Sequence, residues 1–340
     1  MQSNHYIFAP TRTLNGGVGS YTNQFVATFR QFRIVTGCGA KQLNGAGIIK
    51  LKGFNSRPSF KTILDLYRHF GNVKNGVFIY QGSLALLIIF VMRFLCRDSV
   101  HIVIFHGLAS RYTNKLFFMI EWLAAQVASH CIFLTDHDRV YLSKKSRCTK
   151  IPNYCVETST CASSYESSTA VTVTRLSKQK NLDYNLQEFK DLPLSLHVYG
   201  VGEDAFNLHC RLSGSMQNNI HFKGIDIPKN IYKNKFVFIL STYSEGFPLS
   251  ILEAASHEVP LLVSDIPELK EVLGDNAWYF KNDEPRDLSD KLLLLKNNQN
   301  KYDQLRQKSK CVSQNYSIEN WREAWCGVFK DLKLRVDLEN

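Results

Sequence analysis

The sequence predicts an α/β protein of two doubly wound, Rossmann-like domains, and three observations carry that expectation. Its 340 residues exceed one ordinary hydrophobic core and suit two domains of about 150 residues each. Short β-branched apolar runs alternate with helix-period segments, the pattern of a parallel sheet covered on both faces. Composition is globular, 44% hydrophobic and 21% charged with no low-complexity tract, which excludes a disordered chain.

In chain order, "HYIFAP" (5–10) begins as a strand, "GGVGSY" (16–21) reads as a Gly-rich turn, and "TNQFVATFRQF" (22–32) opens a helix. "GVFIYQG" (76–82), "VHIVIFHG" (100–107) and "HCIFLTD" (130–136) read as strands with helices between them. The run "SLALLIIFVMRFL" (83–95) is interrupted by Arg93, and its dozen or so apolar residues fall short of the roughly 20 that span a bilayer. It reads first as a buried helix. A membrane-contacting helix, suggested by nearby Lys74, Arg93 and Arg97, and a true span stand behind that reading.

The Ser/Thr-rich "NYCVETSTCASSYESST" (153–169) has little to offer a core and divides the chain into domains 1–160 and 161–316, followed by 317–340. In the second domain "AVTVT" (170–174), "LSLHVYG" (194–200), "NIHFKG" (219–224), "FVFIL" (236–240) and "PLLVSD" (260–265) are strands with short helices between. Right-handed crossovers bring the C-terminal ends of such strands to one edge. The closing "SIENWREAWCGVFKDLKL" (317–334) is an amphipathic helix whose Trp321, Trp325 and Phe329 form a core stripe.

Charge is uneven. Residues 1–165 hold 19 Lys/Arg against 6 Asp/Glu, a net of +13, and the remainder holds 22 against 24, a net of −2. A basic first half is either a solubilising surface or a face for polyanions, meaning nucleic acid or anionic lipid. No stacking platform or recognised module accompanies the cations, so nucleic acid is not expected as a partner. Nine scattered cysteines without a CxxC pair or zinc spacing suit reduced thiols. The N-terminal residues lack a secretory pattern, so the expected location is cytoplasmic.

The stretch "SEGFPLSILEA" (244–254) follows a strand and so lies on the ligand-binding edge. Pro248 suits the first turn of a helix, which puts Glu245 in the preceding loop and Glu253 about five residues along. Gly246 leaves room for close approach, and free N–H groups at a helix start can receive a phosphate. Carboxylates flanking such a start suit a ligand rich in hydroxyls, one holding sugar hydroxyls near a reacting carbon and the other a ribose diol, because each accepts two hydroxyl hydrogen bonds. "TRLSKQKN" (174–181) follows the first strand of the same domain and puts Arg175 and Lys180 on the same edge. They are either a bracket for a diphosphate, at about 1.5–3 kcal/mol per charge-assisted contact, or a solvated loop.

The segment "SEGFPLSILEAASHEVPLLVSDIPELKEVLGDNAWYF" resembles the donor site of glycosyltransferase family 4, retaining enzymes of GT-B fold whose two domains face across a cleft. Glu245 and Glu253 match its E-x7-E signature, and "GGVGSY", "FHG" (105–107), "IPNYCV" (151–156), "RLSKQK", "VYGVGED" and "IHFKGI" are weaker matches in the right order. The resemblance implies an acceptor-binding first domain, a nucleotide-sugar-binding second domain and a final helix packed back on the first. Arg175 and Lys180 would bind the donor diphosphate without a metal. Glu245 would hold the transferred sugar and Glu253 the ribose. Gly246, Phe247, Pro248 and Leu249 would lie against sugar and phosphates, and Gly224 and Ile225 against the base. Gly17 and Gly19 would admit acceptor and donor phosphates to the backbone, and His106 would hydrogen-bond the donor sugar or the reacting face, counting with Glu245, Arg175 and Lys180 as catalytic. No metal or other cofactor is expected beyond the nucleotide-sugar donor.

Thr174 stands where the family usually has Gly, and "SHEVP" (256–260) replaces a common Gly turn. The expected activity is hexosyl transfer with retention to a lipid-linked glycan hydroxyl in bacterial surface-polysaccharide (O-antigen or capsule) biosynthesis. The expected location is peripheral, on the inner face of the cytoplasmic membrane. The rival is a non-catalytic scaffold of the same fold, whose sign would be loss of Glu245, Glu253, Arg175 or Lys180.

Overall fold

The computed structural model describes residues 4–9, 17–37, 47–52, 54, 60–108, 115–142, 148–155, 163–214, 218–334 and 336. Gly16 and residues 156–162 of the Ser/Thr-rich stretch lie outside them. The chain divides into two compact units, Met1–Asn153 with Glu319–Asn340, and Tyr154–Ile318.

The first unit runs β1 (His5–Phe8), α1 (Gly17–Thr28), β2 (Phe32–Gly37), β3 (Ile48–Leu51), α2 (Phe60–Phe70), β4 (Val77–Gln81), α3 (Ser83–Leu95), β5 (Val100–Phe105), α4 (Lys115–Val127), β6 (His130–Phe133), α5 (Asp136–Leu142) and β7 (Cys148–Lys150). All strands pair in parallel in the order β3-β2-β1-β4-β5-β6-β7. The order reverses between β1 and β4, so right-handed crossovers put α1 on one face and α2 to α5 on the other. On the α2–α3 side Tyr6 stacks on Phe78 (5.3 Å) and Phe8 on Tyr80 (5.0 Å). On the opposite side the final helix, Ile318–Asp331, inserts its aromatic stripe: Trp325 lies 5.0 Å from Phe25, and Phe329 lies 5.3 Å from Phe29. The Trp325 Nε1–H donates to the Tyr21 hydroxyl (3.2 Å), which satisfies the one polar atom of a fully buried indole.

Two expectations need correction. "GGVGSY" is no turn from Gly17 onward, because α1 starts there, and that helix ends at Thr28 so that Phe32 opens β2. The apolar spacing of Tyr21, Phe25 and Phe29 continues the helix toward Gly17, and three residues, the buried Phe29 with Arg30 and Gln31, then turn the chain into a largely buried strand. Strands β2, β3 and β7 were not anticipated. The edge strands β3 and β7 are three or four residues long and half-exposed, so they carry no apolar run.

The run 83–95 is a helix with Ala85, Leu86, Ile88, Ile89 and Met92 buried. No described helix is long and apolar enough to cross a membrane. Cys96, Cys131, Cys148, Cys155, Cys210, Cys311 and Cys326 are free thiols, and Cys38 and Cys161 lie outside the described residues.

The second unit runs β8 (Thr169–Val173), a 3₁₀ turn (Lys178–Lys180), α6 (Leu182–Glu188), β9 (Ser195–Tyr199), α7 (Ala205–Gly214), β10 (Ile220–Gly224), α8 (Pro228–Tyr232), β11 (Val237–Leu240), α9 (Leu249–Ser256), β12 (Leu261–Ser264), α10 (Pro267–Leu273), β13 (Trp278–Phe280), α11 (Asp287–Lys296) and α12 (Gln299–Asn315). Its parallel order is β10-β9-β8-β11-β12-β13. Chain order reverses between β8 and β11, so the crevice for a ligand opens at their C-terminal ends.

The "SHEVP" turn shows how a glycine is dispensed with. Glu258 takes φ 54°, in the left-handed region that glycine enters at little cost. Its carboxylate accepts two bonds from Arg306 of α12 (2.8 and 3.0 Å), and its carbonyl accepts from Ser163 (2.8 Å). The carboxylate bonds to Arg306, which glycine cannot make, offset the backbone strain.

Candidate active site

The loops after β8 and β11 meet at the crevice of the second unit. Lys180 Nζ forms an ion pair with the Glu245 carboxylate, and both side chains are largely buried. Neighbouring polar groups hold that pair in place. Gln179 Nε2 donates to the Ser244 carbonyl (2.8 Å), the Tyr243 N–H to the Gln179 carbonyl (3.0 Å), and Ser241 Oγ to the Lys180 carbonyl (3.0 Å). The strand-end Thr242 N–H donates to Ser264 Oγ (2.8 Å), and Asn282 Nδ2 donates to the Thr242 carbonyl (2.7 Å). A loop tied at so many points presents Glu245 with little freedom, the condition for a preorganised site.

Arg175 follows β8 and is exposed, with no ion pair among the described residues. Its loop packs against the loop after β9: Thr174 N–H donates to the Tyr199 carbonyl (3.0 Å) and Leu176 N–H to the Val201 carbonyl (3.1 Å). A Cβ on Gly200 would strike the Thr174 carbonyl, and Gly200 has φ 135°, so this position requires glycine. Close approach at Thr174 is thus obtained by glycine on the neighbouring loop.

Pro248 is the residue just before α9, where the sequence places it inside the first turn. Phe247 is buried edge-on against Tyr316 (4.9 Å), so it anchors the loop and offers a ligand its backbone only. Gly246 and Leu249 flank that anchor. Glu253 is the fifth residue of α9, and Oε2 accepts a bond from the Tyr232 hydroxyl at the end of α8 (3.1 Å). Burial raises the Glu253 carboxyl to about 7, with the Tyr232 bond pulling the other way. Gly224 closes β10 with φ 72°, and Ile225 after it is exposed.

In the first unit the expected residues gather at the ends of α1 and β5. Gly17 opens α1 with nothing within 4 Å of where its Cβ would stand, whereas Gly19 is buried. His106 follows β5 and packs edge-on against Tyr21 (5.0 Å). A chain of bonds sets its tautomer. Thr22 Oγ1 donates to the Val18 carbonyl (2.6 Å) and so accepts from Gln81 Nε2, which turns Gln81 Oε1 toward His106 Nε2 (2.9 Å). That nitrogen therefore carries the proton. Burial lowers the imidazole to about 4, so at neutral pH Nδ1 is a bare acceptor.

Sequence reasoning missed Gln81, Thr22, Tyr232, Gln179, Ser264 and Asn282. Gln179 and Ser264 lie within segments that carry the family resemblance but have no charge to single them out, and the other four lie in no motif; each is found only by following hydrogen bonds.

Residues 163–311 match the family model of glycosyl transferases group 1. The chain is 26% identical over 165 residues to an alpha-galactosylglucosyldiacylglycerol synthase of Streptococcus pneumoniae, which covers 46% of this chain and 44% of that protein. It therefore spans about half the length of that relative. Among solved structures, Anabaena HepE in complex with UDP and glucose matches at 11% identity and TM-score 0.83, over 96% of this chain and 99% of the other. Sucrose-phosphate synthase from Thermosynechococcus elongatus matches at 12% identity and TM-score 0.81, over 97% and 99%. These likenesses show the fold, two parallel-sheet Rossmann-like domains as in GT-B glycosyltransferases. The family match falls on the unit that holds Lys180, Glu245 and Glu253.

Proposed function

We propose that the protein is a retaining glycosyltransferase of family 4 type that moves a hexosyl group from a nucleotide-diphosphate donor to a hydroxyl of a lipid-linked glycan, in surface-polysaccharide biosynthesis. The observation that carries this reading is the crevice at β8 and β11, where Lys180, Glu245 and Glu253 stand on one strand edge with Arg175 beside them.

In this reading Glu253 accepts the ribose hydroxyls once ionised, and Gly224 and Ile225 border the base. The diphosphate displaces Glu245 from Lys180, and the freed carboxylate takes the sugar hydroxyls. The backbone of Gly246, Phe247, Pro248 and Leu249 lines sugar and phosphates. Gly17 and Gly19 give phosphates access to the start of α1. His106 accepts a sugar hydroxyl proton at Nδ1. The bond from the anomeric carbon to the diphosphate breaks with its electron pair on the phosphate oxygen, and Arg175 and Lys180 stabilise that charge, the task a metal performs in other transferases. The acceptor oxygen bonds to the same face of the carbon, and its proton passes to the departing phosphate oxygen. The glycolipid product in the streptococcal relative's name and the basic first half support a lipid-linked acceptor at an anionic membrane surface.

Calorimetric titration of UDP, GDP and ADP tests the donor site. One nucleotide is expected to bind, weakened about 10- to 100-fold by Arg175→Ala as loss of about 1.5–3 kcal/mol requires. Absence of binding by all three would return the scaffold reading.

A further inference from the structure

The outer helix layer of the first unit shows apolar side chains to solvent in a helical pattern. On α2, Phe60, Ile63, Leu64 and Tyr67 recur at i, i+3, i+4 and i+7, spacing that ordinarily turns a stripe toward the core. Here Phe60 is 79% and Tyr67 62% exposed, while Thr62, Leu66 and Phe70 serve the core. Helix α3 repeats the spacing with Phe90, Arg93 and Phe94, Arg97 follows just past its end, and Phe94 is 67% exposed. Met119 and Trp122 on α4 are nearly half exposed. The topology lays α2, α3 and α4 side by side on one sheet face, with α3 packed against both neighbours. Scattered surface hydrophobics need no explanation, but a shared face of large ones does.

Cations interleave with these side chains. A shallow depression of about 440 Å³ is lined by Phe90, Arg93, Phe94, Arg97 and Val127. Arg93 donates to the Arg97 carbonyl (3.0 Å), and the Arg97 guanidinium lies 4.7 Å from the Phe94 ring centroid, so both heads are held at the rim of an apolar hollow. Lys61, Arg68, Lys74 and Lys115 are exposed on or beside the same helices. The acids there are Asp65, 3.8 Å from Arg68, Asp98 just after α3, and Glu121, which is buried.

We propose that the α2–α3–α4 face is the surface by which this chain lies on an anionic phospholipid bilayer. Its aromatic and aliphatic side chains would enter the acyl boundary, and Arg93, Arg97, Lys61 and Arg68 would meet lipid phosphates. A second copy fits poorly, because a twofold contact through this face would set the same cations against each other. The proposal deepens the membrane attachment in the reading above and relocates it. The apolar run 83–95 is mostly core, and the contact falls on α2, α4 and the outward side of α3.

The test uses the full chain and vesicles, with no donor or acceptor, so it can fail independently of catalysis. The chain is sedimented at about 0.15 M salt with phosphatidylcholine vesicles with and without phosphatidylglycerol. It is expected to pellet with anionic vesicles and to partition at least tenfold less onto neutral ones. Tyr67→Glu combined with Phe94→Glu is expected to cut binding at least tenfold with circular dichroism and thermal unfolding unchanged. Should that variant not fold, bromine-labelled lipid quenches part of the native tryptophan fluorescence, and that part is absent in Trp122→Phe. A chain that stays in the supernatant, quenching that survives Trp122→Phe, or a dimer that Phe94→Glu converts to monomer would each overturn the assignment.

Discussion

The two units share one architecture and expose their apolar side chains in different places. In the first, most of these side chains sit together on the outward faces of α2, α3 and α4, away from the strand ends, with Val140 and Tyr141 on α5; in the second, Val201, Ile225, Ile227 and Tyr243 sit in the loops after β9, β10 and β11, and only Phe206, Leu293 and Leu294 among the described residues lie on helices, α7 and α11. Charge follows the same division, +13 over residues 1–165 against −2 beyond. Both units use the strand-end edge for polar, ligand-type residues, as a doubly wound sheet dictates. The helix layer is under no such constraint, and the first unit has given it a second surface.

The largest effect that could break this comparison lies at Trp325, where the far end of the chain closes the first unit. Trp325→Ala empties a fully buried site between Phe25 and Phe329 and should remove about 3–5 kcal/mol of stability. Urea unfolding should show an early transition of the first unit with UDP binding retained. One transition shifted as a whole would mean that the units unfold together.

Next come the charges of the second unit. Lys180→Ala leaves Glu245 nearly buried without its cation and should weaken UDP about 10- to 100-fold, the loss of one charge-assisted contact. Glu245→Gln should act in the opposite direction, tightening UDP a few-fold because the diphosphate no longer competes for Lys180. Calorimetry on the two variants decides whether Glu245 guards the cation or binds the nucleotide itself.

A pH series sharpens the role of Glu253. Its carboxyl must be ionised to accept two hydroxyls, and burial raises it to about 7. UDP affinity should therefore fall as pH drops below about 7, by up to tenfold per unit, and level off above it. Titrations over that window with Glu253→Gln should give a flat profile, and a native profile that is flat as well would remove the carboxylate from ribose binding.

The smallest effect is expected at Gln81, which touches the proposed donor only through His106. Gln81→Leu should weaken the nucleotide-sugar about fivefold, near 1 kcal/mol for one bond, while leaving UDP alone unaffected. Nitrogen NMR of His106 should show the single Nε2–H tautomer in the native protein and a mixture in the variant.

Strands β11 and β12 were legible because each is an apolar run buried throughout, and β8, β9 and β10 because short runs of β-branched and apolar residues alternate with helix-period segments. Glu245, Glu253 and Lys180 were legible because their spacing sits beside such strands. The edge strands β3 and β7 had no apolar run to betray them, and α1 was cut short because glycines in its first turn imitate a turn. Tyr232, Gln81 and Asn282 could not be read, since each acts on a residue 21 to 40 positions away. The exposed stripe of α2 was hidden for the opposite reason: its period is correct for a core helix, and periodicity does not say which way a face points.

The sequence by itself therefore determined the α/β class, the parallel order of its local units and the strand edge on which carboxylates and cations would lie. Period and β-branching act over a few residues, and right-handed crossover geometry does the rest. Only the tertiary structure decided that Lys180 pairs with Glu245, that Tyr232 holds Glu253, that His106 is a neutral acceptor and that α2 turns its apolar stripe outward. Those outcomes depend on burial and on bonds between residues far apart in the chain, which no local pattern of side chains encodes.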